Sequence, residues 1–160
     1  MILNHAIRLA RFDDAPHIGM MSRELIEHGL SWRWRASSIR QCIRDPSTNV
    51  AVAPSDHGIA GFAVMKYKDD EAHLILLGVD PAQRRRGVGR ALMAWHETAA
   101  LTAGIGTIYI EARASNEGTR AFYRKLGYLE VQLVQGYYEG VEDAVRFAKD
   151  LWATSANPSG

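Results

Sequence analysis

A single cysteine, Cys42, in 160 residues rules out an internal disulfide, and with it the small stapled scaffolds of the secretory route. No apolar run approaches the ~20 residues that a membrane-spanning helix needs; the stretch from Leu74 to Val79 is among the longest. Charge of one sign is missing as well. Nineteen basic against eighteen acidic side chains leave a net charge of +1, which gives no support to general binding of nucleic acid or anionic membrane. The six histidines, His5, His17, His28, His57, His73 and His96, contain no closely spaced pair, so no metal site is expected. Ser22, Ser31 and Ser115 lack the G-x-S-x-G setting of a serine nucleophile. Cys42 reads as a buried, inert thiol. The opening MILNHAIRLARFDD lacks the layout of a secretory signal, so a cytoplasmic protein is expected.

What is present is ordinary for a globular chain: 47% apolar and 23% charged residues. The length predicts one domain, over residues 5–152, with 153–160 as a flexible tail. Ile7, Leu9 and Phe12 open it as a strand. Asp13 is placed to cap a helix that tolerates Pro16 in its first turn and carries Ile18, Met21, Leu25 and Ile26 on one side. A second helix runs from Ser37 or Ser38 to Arg44 and is stopped by Pro46. Val50–Ala53, Ile59–Met65 and Leu74–Val79 read as an antiparallel meander. The spacing of Val88, Leu92, Trp95 and Ala99 predicts a helix closed by Gly104 and Gly106. A strand over Thr107–Ala112, a helix over Glu117–Leu126 and strands over Leu129–Leu133 and Asp143–Leu151 complete the order β α α β β β α β α β β. That order predicts an α/β (α+β) fold with a mixed sheet: antiparallel first, then joined by a helical crossover.

The segment VDPAQRRRGVGRALM, Val79 to Met93, runs a strand into a turn, three arginines, and glycines at the mouth of a helix. Glycines let amides turn inward, and a helix N-terminus adds unpaired donors and a favourable dipole, so the segment is built for a phosphate-bearing ligand. It is neither a P-loop nor a dinucleotide fingerprint, since G-x-x-x-x-G-K-[ST] is absent and Leu92 stands where the third glycine would fall. Alone, it reads equally as a helix entry beside a solvated arginine run.

QRRRGVGRAL, from Gln83, resembles the [QR]-x-x-G-x-[GA] signature of the GCN5-related N-acetyltransferase (GNAT) superfamily. EARASNEGTRAFYRKLGY, Glu111 to Tyr128, and GYYEGVEDAVRFAKDL, Gly136 to Leu151, are similar to its ribosomal-protein alanine and N-terminal acetyltransferase branch. The resemblance covers about Leu74 to Leu151. It implies a mixed, mostly antiparallel seven-stranded sheet flanked by about four helices, and acetyl-CoA as co-substrate. It further implies that the amides of Arg84, Arg85, Arg86, Gly87, Val88, Gly89 and Arg90 hold the pyrophosphate. Leu77, Gly78 and Val79, on a bulged strand, would pair with the pantetheine arm, and Asn116 would bond it.

Acetyl transfer to an amine needs a base, an oxyanion stabiliser and a proton for the departing thiolate. Glu111, near a strand end, is placed to take the proton, and the resemblance gives it the base role; a surface glutamate is the other reading. Tyr123 lies seven residues after Asn116, nearly on the same helical face. Its phenol, protonated at neutral pH, suits a general acid, although a core tyrosine would look the same. Asn116 also fits as a helix N-cap. Trp32 and Trp34, between the first helices, and Tyr137 and Tyr138, in the loop between the last strands, are the candidate acceptor-binding residues; helix packing and turn-flanking aromatics are the alternatives. The expected activity is acetyl transfer by direct attack to a primary amine, foremost a protein or peptide N-terminal α-amine. Small-amine acetylation, a non-catalytic acyl-CoA-binding module and an arginine-rich RNA binder stay as alternatives. No oligomeric state follows from the sequence.

Overall fold

The computed structural model describes residues 6–56 and 58–156; His5, His57 and the last four residues of the expected tail lie outside them. Seven strands hydrogen-bond in the order β1-β2-β3-β4-β5-β7-β6. They are β1 (Arg8–Leu9), β2 (Thr48–Ser55), β3 (Gly58–Lys68), β4 (Glu71–Val79), β5 (Thr107–Arg113), β6 (Leu129–Tyr138) and β7 (Glu142–Asp150). The helices are α1 (Ala15–Leu25), α2 (Ala36–Arg44), α3 (Val88–Thr102), α4 (Glu117–Lys125) and α5 (Leu151–Ala156). β4 and β5 pair in parallel, from Glu71 opposite Thr107 to Leu74 opposite Ile110. The pairs β1/β2, β2/β3, β5/β7 and β7/β6 are antiparallel. The mixed seven-stranded architecture and the element order follow the sequence reading. α5 is an addition: it is helical over 153–156, where a tail was expected.

The chain divides into two compact units, each built from two stretches. In the first, up to Lys66 and from Ile75 to Ala99, α1 and α2 bury Ala15, Ile18, Met21 and Ile39 against Val50, Val52, Phe62, Val64 and Leu76. Alternation along β2 and β3 sends these large side chains one way and Ala51, Ala63 and Met65 the other. Close approach depends on two glycines. A Cβ on Gly61 would lie 2.8 Å from Val88 Cγ1, and one on Gly78 would lie 2.7 Å from Phe62 Cε1. His96 of α3 is fully buried with Nε2 3.0 Å from the Ala63 carbonyl. Asp14, not Asp13, is the N-cap of α1. Its carboxylate does not bond the helix, because Arg8 Nη1 and the Arg11 amide donate to it, both at 2.8 Å. Phe12 sits in a 3-10 turn rather than a strand.

The second unit, Tyr67–Leu74 and from Ala100 onward, centres on Tyr123, Tyr128 and Phe147, with the Tyr123 ring centroid 6.0 and 5.6 Å from the other two. Lys149 Nζ donates to the Leu126 carbonyl at 2.7 Å, satisfying the C-terminal end of α4. β6 departs from expectation. Leu129, Val131 and Leu133 lie in a strand as their alternation predicts, yet they are 71%, 56% and 56% exposed, since β6 is an edge strand whose register shifts between Glu130 and Gln132. The strand also runs on through Tyr138, so Tyr137 and Tyr138 are strand residues. The turn falls at Glu139 and Gly140, both with positive φ.

Candidate active site

Along β5 the burial alternates: Ile108, Ile110 and Ala112 point into the core, and Tyr109, Glu111 and Arg113 face the other way. The register sets Glu111 opposite Arg146 on β7, and Arg146 opposite Gln132 on β6. Directly opposed residues on one face meet, and here they bond: Arg146 Nε donates to Glu111 Oε2 at 2.7 Å, and Arg146 Nη1 to Gln132 Oε1 at 3.2 Å. From β4, His73 Nε2 bonds Glu111 Oε1, and the Tyr137 hydroxyl donates to the same oxygen at 3.1 Å. The Glu111 side chain is 5% exposed, whereas that of His73 is 38% exposed. Burial pushes the Glu111 pKa up, but the hydrogen bonds from His73, Arg146 and Tyr137 outweigh it, and the carboxyl titrates below its ordinary range. An ionised Glu111 only accepts, so His73 Nε2 is the donor and carries the hydrogen. Nδ1 is then the ring position with a lone pair in the neutral imidazole.

Tyr123 is buried, and its ring is held between Phe122, Tyr128 and Phe147. Its hydroxyl bonds to nothing among the described residues. Burial and the nearby Tyr138 raise its pKa, so the phenol stays protonated across the neutral range. Asn116 is the N-cap of α4, with Oδ1 accepting from the Thr119 amide at 3.0 Å; its side-chain NH2 is left over for a ligand. Asn116 is exposed where Tyr123 is buried.

The arginine loop is exposed from Arg84 to Gly87, and Arg85 and Gly87 hold φ of +65° and +78°. A Cβ at Gly87 would meet nothing within 4 Å, so the glycine is there for its conformation. The Ala91 amide bonds the Gly87 carbonyl at 2.9 Å. The amides of Val88, Gly89 and Arg90, in the first turn, point off the helix end. The Val88 side chain is buried, so only its main chain is offered. At the end of β4, Leu77 and Val79 are half-buried and Gly78 is buried.

Trp32 is tied down: its Nε1 donates to the Gly19 carbonyl at 3.1 Å, and Arg23 and Arg35 lie 5.1 and 4.4 Å from its ring. Trp34 packs against the helix–sheet core of the first unit. Both are shaped by Glu27, a buried carboxylate that accepts from Ser22 Oγ at 2.8 Å and from the amides of Arg33 and Trp34 at 2.6 and 3.3 Å. Tyr137 and Tyr138 pack edge to face at 4.9 Å, and burial raises the Tyr138 pKa. Cys42 is half-buried, and burial raises its thiol pKa. Among the described residues, no group of side chains is arranged to hold a metal ion and no helix is long and apolar enough to cross a membrane.

The profile of the Acetyltransferase (GNAT) family matches residues 6–128. The chain belongs to this family. It is 38% identical over 97 residues to a [ribosomal protein bS18]-alanine N-acetyltransferase of Salmonella typhimurium, a match covering 59% of this chain and 66% of that protein. The matched stretch thus spans just under two thirds of that relative. The crystal structure of the ribosomal-protein-S18-alanine N-acetyltransferase from Escherichia coli aligns with a TM-score of 0.77 at 26% identity, over 92% of this chain and 94% of that one. Arabidopsis thaliana NAA60, solved in complex with acetyl-CoA, aligns at 0.79 over 92% and 98% with 16% identity, a likeness of fold.

Two residues that bond Glu111 escaped the sequence reading, His73 and Arg146. The histidines were weighed only as metal ligands, in pairs along the chain. The partner of His73 is Glu111, 38 residues away. The signal that could have found both is the strand order, since His73 and Glu111 fall on outward-facing positions of neighbouring parallel strands, and Arg146 on the strand beyond.

Proposed function

We propose that this GNAT chain transfers the acetyl group of acetyl-CoA to a primary amine by direct attack, and that its acceptor is the α-amine of a protein or peptide N-terminus. The observation that carries the chemistry is the convergence of His73, Tyr137 and Arg146 on the buried carboxylate of Glu111. A carboxylate with both oxygens engaged is a poor base by itself. His73 Nδ1 takes the proton from the amine, while Glu111 fixes the tautomer and balances the imidazolium that forms. The amides of Arg85 to Arg90 and the Gly87 turn take the pyrophosphate, the Arg84 amide being bonded to the Pro81 carbonyl; Leu77 to Val79 and the Asn116 amide take the pantetheine arm, and the Val79 amide serves the thioester oxygen. Tyr123, whose hydroxyl is otherwise unused, donates to the departing sulfur. Tyr123 recovers a proton from solvent as the one held on His73 is released to it, so both groups return to their starting states; the product is the amide, and the thiol leaves protonated.

An α-amine with pKa near 8 is about a tenth neutral at pH 7, whereas a lysine near 10.4 is almost wholly protonated, so a single imidazole suffices more easily for the former. Tyr137, bonded to Glu111, and Tyr138 beside it are suited to hold the acceptor backbone. Incubation with acetyl-CoA followed by mass spectrometry tests the reading on two peptides, one with a free N-terminus and blocked lysine, the other reversed, beside a small-amine panel. Faster reaction at the free N-terminus is expected. Faster acetylation of lysine or of small amines would reject the acceptor and leave the acetyl-CoA chemistry standing.

A further inference from the structure

The first unit holds a cleft of about 450 Å³ lined by Arg33, Trp34, Gln41 and Lys66, with Val64 and Ile75 supplying apolar wall. Its charges are unbalanced. Arg33 and Lys66 form no ion pair or side-chain hydrogen bond among the described residues; the Arg33 guanidinium lies only over the Trp34 ring, at 6.0 Å. Asp45 is the one acid on the lining, and both its oxygens are in use: Oδ1 accepts from the Ser47 amide at 2.9 Å and Oδ2 from Thr48 Oγ1 at 2.8 Å. Neutral donors leave its charge in place, and that charge acts on Lys66. Two cations against one acid give the lining a net charge of +1, with Arg33 the cation that has no acid of the lining near it and the Gln41 amide on the same lining, around a space large enough for an acidic side chain and the backbone that carries it.

The walls are held in place. Glu27, 7% exposed, clamps the amides of Arg33 and Trp34, so the loop that presents the guanidinium is organised before any ligand arrives, which lowers the entropy cost of binding. The cleft also shares a strand with the proposed base. Ile75 lines it, and His73 belongs to the same strand, β4.

We infer that this cleft is a subsite for a carboxylate side chain of the acceptor, so that this chain prefers N-termini followed within the first few residues by Asp or Glu. The carboxylate meets Arg33 and Lys66, and its methylenes lie on Ile75 and the Trp34 ring. The inference rests on the N-terminal reading above and names the substrate class it takes.

The test compares peptides that begin with alanine and carry Glu or its uncharged isostere Gln at the second or third position. The native chain should show a KM about ten-fold lower for the Glu peptide, the size of one charge-assisted hydrogen bond. The ratio should fall toward one in Arg33→Met and in Lys66→Met, and reach one in the double variant. A native ratio of one, or a ratio that survives the double variant, overturns the inference. If no peptide N-terminus is acetylated, the acceptor reading falls, and titration of the same peptides against indole fluorescence decides the cleft separately: a Glu-over-Gln preference abolished by the double variant supports it, and equal binding removes it.

Discussion

Arg146 Nε lies 2.7 Å from Glu111 Oε2 across the antiparallel β5–β7 pair, and this contact keeps a carboxylate that is nearly out of solvent in its ionised form. Burial alone would push Glu111 toward the neutral acid; the guanidinium, with His73 and Tyr137, reverses the sign. In the proposed mechanism a neutral Glu111 would no longer balance an imidazolium at His73, and the contact would then bear on catalysis through charge.

Replacing Arg146 by Met should therefore raise the Glu111 pKa and move the acid limb of kcat/KM upward by about one pH unit or more. Arg146→Lys, which keeps the charge but not the fork, should restore most of the position of that limb. The pH profile at saturating acetyl-CoA checks it. An unmoved limb with a uniformly lower rate would make Arg146 a packing residue only.

Tyr123→Phe should leave folding stability within about 0.5 kcal/mol, because the hydroxyl bonds no described residue and the ring contacts are kept. Turnover should drop by about 100-fold, with acetyl-CoA affinity unchanged. Denaturant unfolding and single-turnover kinetics measure the two effects. Full single-turnover rate in the variant would remove Tyr123 from the chemistry.

At Gly87 the side-chain space is open but φ is +78°. Gly87→Val should cost about 1–2 kcal/mol of stability through the left-handed backbone, so the chain still folds while the loop loses its conformation. Titration calorimetry with acetyl-CoA on the folded variant should show a loss of at least ten-fold. Native affinity would take the pyrophosphate away from this turn.

His96 gives a pH prediction for the fold itself. Burial lowers its pKa to about 4, against an ordinary 6.5, so the unfolded chain binds this proton first and stability falls as pH drops. The contribution is fully present above about 6.5 and is lost through the window down to about 4; by pH 5 the loss is about 2 kcal/mol. Urea unfolding at pH 7 and pH 5 should show that difference in the native chain and a correspondingly smaller one in His96→Gln. Equal pH dependence in the two proteins would remove His96 as its source.

The element order and the arginine–glycine loop at the entry of α3 were legible in the sequence, because periodicity, turn residues and motif spacing act over a few residues. Val88, Leu92, Trp95 and Ala99 mark α3 without reference to anything distant, and Gly87 marks its entry by the conformation only glycine adopts freely. The surroundings of Glu111 were not legible. Its partners come from β4, β6 and β7, and only the order β4-β5-β7-β6 brings them together. The same holds for Leu129, Val131 and Leu133: their alternation announces a strand, but their exposure follows from β6 lying at the sheet edge. Local propensity sets which elements form, whereas the charge state of a buried group is set by what packs against it. The sequence by itself determined the elements and the family, and the tertiary structure decided which side chains surround Glu111, and so that His73 and Arg146 bond a nearly buried, ionised carboxylate.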